Sequence, residues 1–167
     1  MQYILSSMKY LSLQARFGKI LLVTLVVLLD QWSKGVAVAA LLPASPVAVL
    51  PCFNFVLVFN KGISFGMLGH NAPQLVALLL PLLLSVIVVV LCCWLLRESE
   101  KPVAFALALI VGGALGNLFD RFWRGAVVDF LDFYWGRYHW PAFNLADSFI
   151  FIGVAVFLFG NISSKRR

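Results

Sequence analysis

Carboxylates are concentrated in one stretch of this hydrophobic chain, between Gly112 and Ser148. Four of the seven acidic residues lie there: Asp120, Asp129, Asp132 and Asp147. Ionisable side chains beside apolar spans are costly, so a cluster of them indicates a functional site. Two carboxylates held close together share one proton, and the pair can then act as general base and general acid. We therefore predict a catalytic pair formed by Asp129 and Asp147.

Local chemistry supports other roles for the same acids. Asp147 stands where an N-cap would begin a helix, and Asp120 with Arg121 is typical of an interfacial ion pair. Asp132, three residues after Asp129, is an equal candidate for the reacting acid. Spacing alone leaves these interpretations open, because ionisable clusters in membranes also serve ion pathways.

The composition indicates an integral membrane protein. The 167 residues are 62% hydrophobic and 12% charged, with a mean hydropathy of +0.97, whereas soluble domains carry about 25% charged residues. The net charge of +6 comes from basic residues near the ends of apolar runs. Membrane topology and anionic lipid explain that placement better than nucleic acid does. No CxxC or Cys/His pattern is present, so we expect no metal or other cofactor.

Four apolar segments predict a single membrane domain, 1–167, of four transmembrane helices with a small extracytoplasmic β-sheet cradle. The predicted spans are approximately 19–42, 72–96, 103–119 and 144–160. The extracytoplasmic connections are 43–71 and 120–146. Residues 51–60 are rich in Val and Phe and are bounded by turn residues, as is typical of a strand. We place this sheet outside the bilayer core because lipid does not tolerate open sheet edges.

The distribution of basic residues predicts the topology. Eight lie in the terminal segments and the connection between the second and third spans: Lys9, Arg16, Lys19, Arg97, Lys101, Lys165, Arg166 and Arg167. Four lie in the other two connections: Lys61, Arg121, Arg124 and Arg137. The positive-inside rule therefore places both termini in the cytoplasm.

Two features within the spans predict close packing. Asp30 and Lys34 are four residues apart, which puts them on one helix face with the acid in the better orientation for pairing. They are either a self-neutralising pair that eases insertion or a polar support beneath the site. Small residues let helices approach closely, so Gly112, Gly113 and Gly116 predict a packed interface.

Five short motifs occur in order along the chain: DQWSK at 30–34, FNKGISFG at 59–66, GGALGNLFDR at 112–121, GAVVDF at 125–130 and FNLADS at 143–148. Together they resemble the bacterial signal peptidase II family of aspartic membrane peptidases, which process lipoproteins. The resemblance implies that Asp129 and Asp147 are the catalytic dyad and that Asp132 is a supporting or structural residue. It also implies a set of residues that line or brace the substrate cleft: Asp30, Lys34, Asn60, Gly62, Asn117, Asp120, Arg121 and Asn144.

The resemblance further implies a substrate and a location. The family's substrates are prolipoproteins whose lipobox cysteine already carries diacylglycerol, and cleavage falls just before that cysteine. We therefore expect a monomer in the bacterial cytoplasmic (inner) membrane, with its site towards the outer leaflet and membrane lipid around it. Globomycin-type cyclic peptides, which inhibit the family, are expected to occupy the same cleft.

A small transporter or channel is the rival class. It would use Asp30, Lys34 and Asp120 as an ion path and would need polar residues through the whole bilayer. The second and fourth predicted spans contain few such residues. A structural assembly subunit would not explain acids gathered at one place.

Overall fold

The computed structural model describes residues 2–42, 44–61 and 74–164, with side chains described for 13–42, 44–61 and 79–160. The helices are α1 (Gln2–Leu41), α2 (Gln74–Arg97), α3 (Lys101–Trp123) and α4 (Leu145–Ser164). The strands are β1 (Val47–Leu50), β2 (Phe53–Asn60), β3 (Val127–Trp135) and β4 (Tyr138–His139). The predicted strand within 51–60 is therefore present as β2.

The helices have the length and composition of membrane spans. In the described part of the chain, Leu13–Leu41, Leu79–Arg97 and Lys101–Trp123 are each long and apolar enough to cross a bilayer. The apolar part of α4, Leu145–Gly160, is shorter. These four helices and the small sheet confirm the predicted fold class.

Helix α3 is longer than the predicted span. It begins with Pro102 in its first turn, a favoured position for proline, and it continues to Trp123 rather than ending near 119. Asp120 and Arg121 consequently lie within the helix and not in the connection after it. This brings Asp120 onto the same helix as Asn117, less than one turn away.

Helix α3 is the centre of the bundle and contacts each of the other three helices. Its glycines make those contacts close: Gly112 faces α1, and a Cβ on Gly113 would overlap the backbone carbonyl oxygen of Ala146 in α4. A Cβ on Gly116 would overlap the carboxylate of Asp30. The predicted packed interface is confirmed, and it lies directly beside the acidic residues.

The strands form one antiparallel sheet in the order β1-β2-β3-β4. Strand β3 starts shortly after α3 ends. It pairs with β2 in a register that places Asp129 opposite Val58. A tight turn at Gly136, whose φ is 60°, then returns the chain as β4. The sheet packs through Phe130 against Ala37 near the end of α1. The sheet therefore covers the end of the bundle where α1 and α3 finish and α4 begins.

Candidate active site

The ammonium group of Lys34 joins three oxygen atoms at the centre of the site. Nζ donates to Asp30 Oδ2 at 2.8 Å and to Asn117 Oδ1 at 2.9 Å, and it forms an ion pair with Asp120 Oδ2 at 2.9 Å. Lys34, Asp30 and Asp120 are all completely buried. The pair predicted from spacing is present, and its contacts to α3 favour the polar support over simple self-neutralisation.

Asp120 completes a balanced cluster. Its Oδ1 accepts hydrogen bonds from Arg124 Nη1 and, at 3.1 Å, from Gln31 Nε2. Its Oδ2 also accepts the backbone N–H of Val128 at 3.2 Å, which ties the start of β3 to α3. Two carboxylates therefore face two cations, Lys34 and Arg124. A charge cluster that is neutral and fully hydrogen-bonded is tolerable within a bundle.

Two asparagines connect the predicted dyad. Asn144 Nδ2 donates to Asp129 Oδ1 at 2.7 Å and to Asn117 Oδ1 at 3.1 Å. Asn117 Nδ2 donates to Asp147 Oδ1 at 2.7 Å. Asn60 Nδ2 donates to the outer oxygen of Asp129, Oδ2, at 3.0 Å. The structure thus brings Asp129 and Asp147 into one hydrogen-bonded group.

The capping of α4 differs from the local prediction. Asn144 is the capping residue, since its Oδ1 accepts the backbone N–H of Asp147 at 3.0 Å. Asp147 reciprocates, because its Oδ2 accepts the backbone N–H of Asn144 at 3.2 Å. This is the geometry of a capping box. Asp147 is therefore not the N-cap, and its other oxygen is turned towards Asn117.

Burial changes the acidity of Asp129. The side chain is 2% exposed, and burial, helped by the nearby charge of Asp147, raises the pKa of Asp129 from 3.8 to about 6. The hydrogen bond from Asn60 acts in the opposite direction. A carboxyl group with a pKa near neutrality is suited to holding and transferring a proton.

Asp132 belongs to a different group of side chains. Both of its oxygens lie 2.9 Å from His139 Nδ1, and Oδ2 accepts Asn54 Nδ2 at 3.0 Å. Asp132 and Asp129 both line a cleft of about 750 Å³ beneath the β3–β4 hairpin. Asp132 is therefore near the dyad without sharing its asparagines.

Arg121 faces the dyad and does not pair with Asp120. Its Nη1 donates to the backbone oxygen of Asn117 at 3.1 Å, and its guanidinium is near enough to Asp147 and Asp129 for their charges to act on it. Its Nε is buried and has no acceptor among the described residues. The predicted Asp120–Arg121 ion pair is wrong, because residues four apart share a helix face and adjacent residues do not.

Sequence reasoning missed four polar partners of the cluster: Gln31, Asn54, Arg124 and His139. Arg124 had a usable signal, since it follows Asp120 by four residues on a helix face. The other three are brought in only by the packing of separate elements. Gly62, predicted to line the cleft, lies outside the described residues.

Solved structures show the class of this fold. The chain is similar to a protein described as a bacterial membrane enzyme, solved by the in meso method at 2.3 Å, with a TM-score of 0.71 and 27% identity over 89% of each chain. A second such structure, at 1.9 Å, gives a TM-score of 0.71 at 26% identity over 86% of this chain and 91% of that one. The protein therefore has the architecture of a bacterial membrane enzyme.

Sequence comparison then specifies the family. The profile of the family described as Signal peptidase (SPase) II matches residues 22–162. The lipoprotein signal peptidase of Aeromonas hydrophila is 46% identical over 150 residues, covering 87% of this chain and 89% of that protein. That of Alteromonas mediterranea is 45% identical over 136 residues, covering 80% and 74%. The chain belongs to the signal peptidase II family, and it is a membrane protease of the lipoprotein-processing type.

The Lys34 cluster yields a test of its coupling. Lys34→Ala should lower the free energy of unfolding by about 3–5 kcal/mol, because it leaves buried carboxylates without their cation. The double variant Lys34→Ala/Asp30→Asn should lose less than Lys34→Ala alone. Thermal and denaturant unfolding in detergent would measure both. Simple additivity in this double-mutant cycle would contradict the coupling.

Proposed function

We propose that this enzyme cleaves diacylglyceryl-modified prolipoproteins just before the lipidated lipobox cysteine, using Asp129 and Asp147 as its catalytic dyad. The observation that carries the proposal is the pair of asparagines between the two acids. Asn144 touches both carboxylates, and Asn117 holds the second one. Two acids aligned on shared donors are suited to act on one water molecule.

The proposed mechanism follows from the different surroundings of the two acids. Asp129, whose pKa is raised to about 6, holds the shared proton and donates it to the scissile carbonyl oxygen. Asp147 removes a proton from water as the water oxygen attacks the carbonyl carbon. The resulting diol collapses when Asp147 returns that proton to the leaving amide nitrogen and Asp129 takes back the hydroxyl proton. Both acids end in their starting states.

Other residues have supporting roles in this proposal. Arg121 lies beside both acids and has a buried Nε–H that is not used within the described protein, so it is suited to bind a substrate carbonyl. Asn60 orients Asp129 from the sheet. Asp30, Lys34 and Asp120 brace the site without touching the substrate.

The surroundings of the dyad suit a lipid-linked peptide. The cleft of about 750 Å³ reaches Asp129 and is lined by Asn60, Trp140 and other residues of the sheet. Between α1 and the sheet lies an apolar recess of about 230 Å³, which Phe55 and Phe130 help to line. We propose that the peptide occupies the cleft and acyl chains the recess. A globomycin-type cyclic peptide would compete for the same place.

We also propose an orientation. The dyad and the sheet lie at the end of the bundle with fewer basic residues. Three exposed aromatic side chains lie at the same end: Trp135, Tyr138 and Trp140. Such aromatic side chains are typical of the membrane–water interface. The site then faces the outer leaflet of the inner membrane, both termini are cytoplasmic, and the protein acts as a monomer. An ion path is disfavoured, because the charges of Asp30, Lys34, Asp120 and Arg124 form one neutral, mutually bonded cluster.

Conservative replacement of the dyad tests the mechanism. Asp129→Asn and Asp147→Asn keep the side-chain size and remove the titrating proton, so each should reduce kcat by about 10²- to 10⁴-fold or more. The double variant should cost little more, because the two residues act as a unit. Cleavage of a diacylglyceryl-modified prolipoprotein would be measured alongside binding of a globomycin-type inhibitor.

Asp132→Asn is the matched control, because it is the same change in the same strand and should retain substantial activity. Normal turnover by a correctly folded Asp129→Asn variant would transfer the role to Asp132. Normal cleavage by both dyad variants would remove the aspartic mechanism.

The pKa of Asp129 predicts the pH dependence. The carboxyl is protonated below about pH 6 and ionised above it, so kcat/KM of the free enzyme should fall as the pH rises through about 6. Asn60 donates to the ionised form and lowers this pKa. Asn60→Ala should therefore move the alkaline limb of the profile to higher pH. A limb that stays in place in Asn60→Ala would show that another group controls it.

Cysteine labelling tests the orientation. In a Cys52→Ser background, Arg137→Cys in the β3–β4 turn should react with a membrane-impermeant maleimide added outside intact spheroplasts. Ser99→Cys, between α2 and α3, should react only after the membrane is permeabilised. The reverse pattern would place the site on the cytoplasmic face.

A further inference from the structure

A further cavity, of about 670 Å³, lies at the opposite end of the bundle from the dyad. Its walls come from α1, from the end of α2 and from the start of α3. Lys101 in its lining and Asn117 in the active site are both on α3, separated by roughly 24 Å at the helical rise of 1.5 Å per residue. The two sites are therefore separate.

The lining of this cavity is basic. Four cationic residues contribute to it: Arg16, Lys19, Arg97 and Lys101. Among the described lining residues, Glu98 is the one acid, and it is already engaged. Its carboxylate accepts the backbone N–H groups of Ser99 and Glu100 and the indole N–H of Trp94. The bond from Glu100, with those other donors, lowers the pKa of Glu98, so Glu98 stays ionised and the cavity remains net positive.

The cations are arranged to receive an anion. Lys19 Nζ is held in place by the backbone oxygens of Leu95 at 2.9 Å and of Glu98, at the end of α2. These two bonds use two of its three donors. The other three cationic side chains are exposed and make no hydrogen bond or ion pair with any residue that the structure describes. Basic residues that served topology alone would not need to surround a cavity.

Apart from Ser99, the rest of the lining has no polar side chain. Leu22, Leu96, Phe105 and Ala108 form walls that continue along membrane-spanning helices. A soluble anion would use only the cations, and a neutral lipid would use only the apolar walls. A phospholipid with a net negative headgroup matches both parts, since its phosphate carries the charge and its acyl chains are apolar.

We propose that this cavity binds the headgroup of an anionic phospholipid from the leaflet at this end of the helices. Arg16 and Arg97 provide planar guanidinium groups that bind phosphate oxygens in pairs, and Lys101 adds a third charge. The first part of the acyl chains lies along Leu22 and Phe105. Basic pockets at the ends of transmembrane helices commonly bind such headgroups. This inference does not depend on which residues are catalytic.

Lipid retention by the full-length protein tests the proposal. The protein would be placed in nanodiscs with equal amounts of phosphatidylglycerol and phosphatidylcholine, then released and its retained lipids counted by native mass spectrometry. Phosphatidylglycerol should be enriched. Arg16→Gln and Arg97→Gln should each reduce the enrichment by about fivefold, the effect expected of one basic group near an anionic lipid. Arg137→Gln, at the other end of the protein, should leave it unchanged.

A pair of glycine variants separates a cavity from diffuse surface charge. Gly18 lines the cavity, whereas Gly35 lies in the same helix outside it. A Cβ at either position meets no atom within 4 Å, and leucine has a higher helix propensity than glycine. Gly18→Leu should narrow the cavity and reduce the enrichment with every charge retained. Gly35→Leu should not change it.

Three outcomes would overturn the proposal. The first is equal retention of the two lipids by the unmodified protein. The second is unchanged enrichment in Gly18→Leu, which would assign the effect to charge without a cavity. The third is displacement of phosphatidylglycerol by added inorganic phosphate, which would make the cavity a site for soluble anions.

Discussion

The structure depends on one buried ammonium group. Lys34 lies fully inside the bundle, where an unpaired charge would cost several kcal/mol. It is tolerated because three oxygens from two helices surround it: Asp30 on α1, and Asn117 and Asp120 on α3. Gly116 permits this approach, since any side chain there would overlap Asp30. The charge therefore requires α1 and α3 to keep one rotation and one register.

The same ammonium orients the two carboxylates of the proposed dyad through two amides. A lysine can only donate, so Asn117 must turn its oxygen towards Lys34 and its nitrogen towards Asp147. That oxygen also receives the nitrogen of Asn144, which in turn donates to Asp129. An amide side chain could be rotated to exchange its oxygen and nitrogen. Lys34 can only donate a hydrogen bond and an ionised carboxylate can only accept one, so Asn117 and Asn144 are each held in one orientation. Asp129 and Asp147, the proposed dyad, are thus positioned by a hydrogen-bond network that starts at Lys34.

Ionisable side chains are arranged differently at the two ends of the bundle. At the dyad end, Asp30, Lys34 and Asp120 are buried and paired with one another, and the raised pKa of Asp129 follows from its own burial. At the other end, cations are exposed around an apolar-walled cavity. The first arrangement suits proton transfer away from bulk water. The second suits contact with an anionic surface, which screening by salt weakens.

Much of this protein was predictable from its sequence, for identifiable reasons. The apolar runs determine a membrane protein of four helices, since no soluble core could bury them. Spacing alone indicated that Asp30 pairs with Lys34, because residues four apart share a helix face. The motifs around Asp129 and Asp147 indicated the family. The strand in 51–60 and the glycine interface were also predictable, because β-branched and aromatic residues favour strands and small residues favour close helix contact.

Other features were decided only by the tertiary structure. Spacing left Asp129 and Asp132 as equal candidates, and their separation into two groups depends on which elements deliver Asn144 and His139. The N-cap of α4 proved to be Asn144 rather than Asp147. The side-chain oxygen of Asn144 accepts the backbone N–H of Asp147, and its side-chain nitrogen donates to Asp129. Asp120 proved to pair with Lys34 and Arg124 instead of Arg121, since α3 continues to Trp123 and brings Arg124, four residues after Asp120, to the same helix face. These hydrogen bonds and ion pairs join residues from separate helices and strands. The local sequence shows which polar side chains are present, but only the packing of the elements decides which of them are in contact.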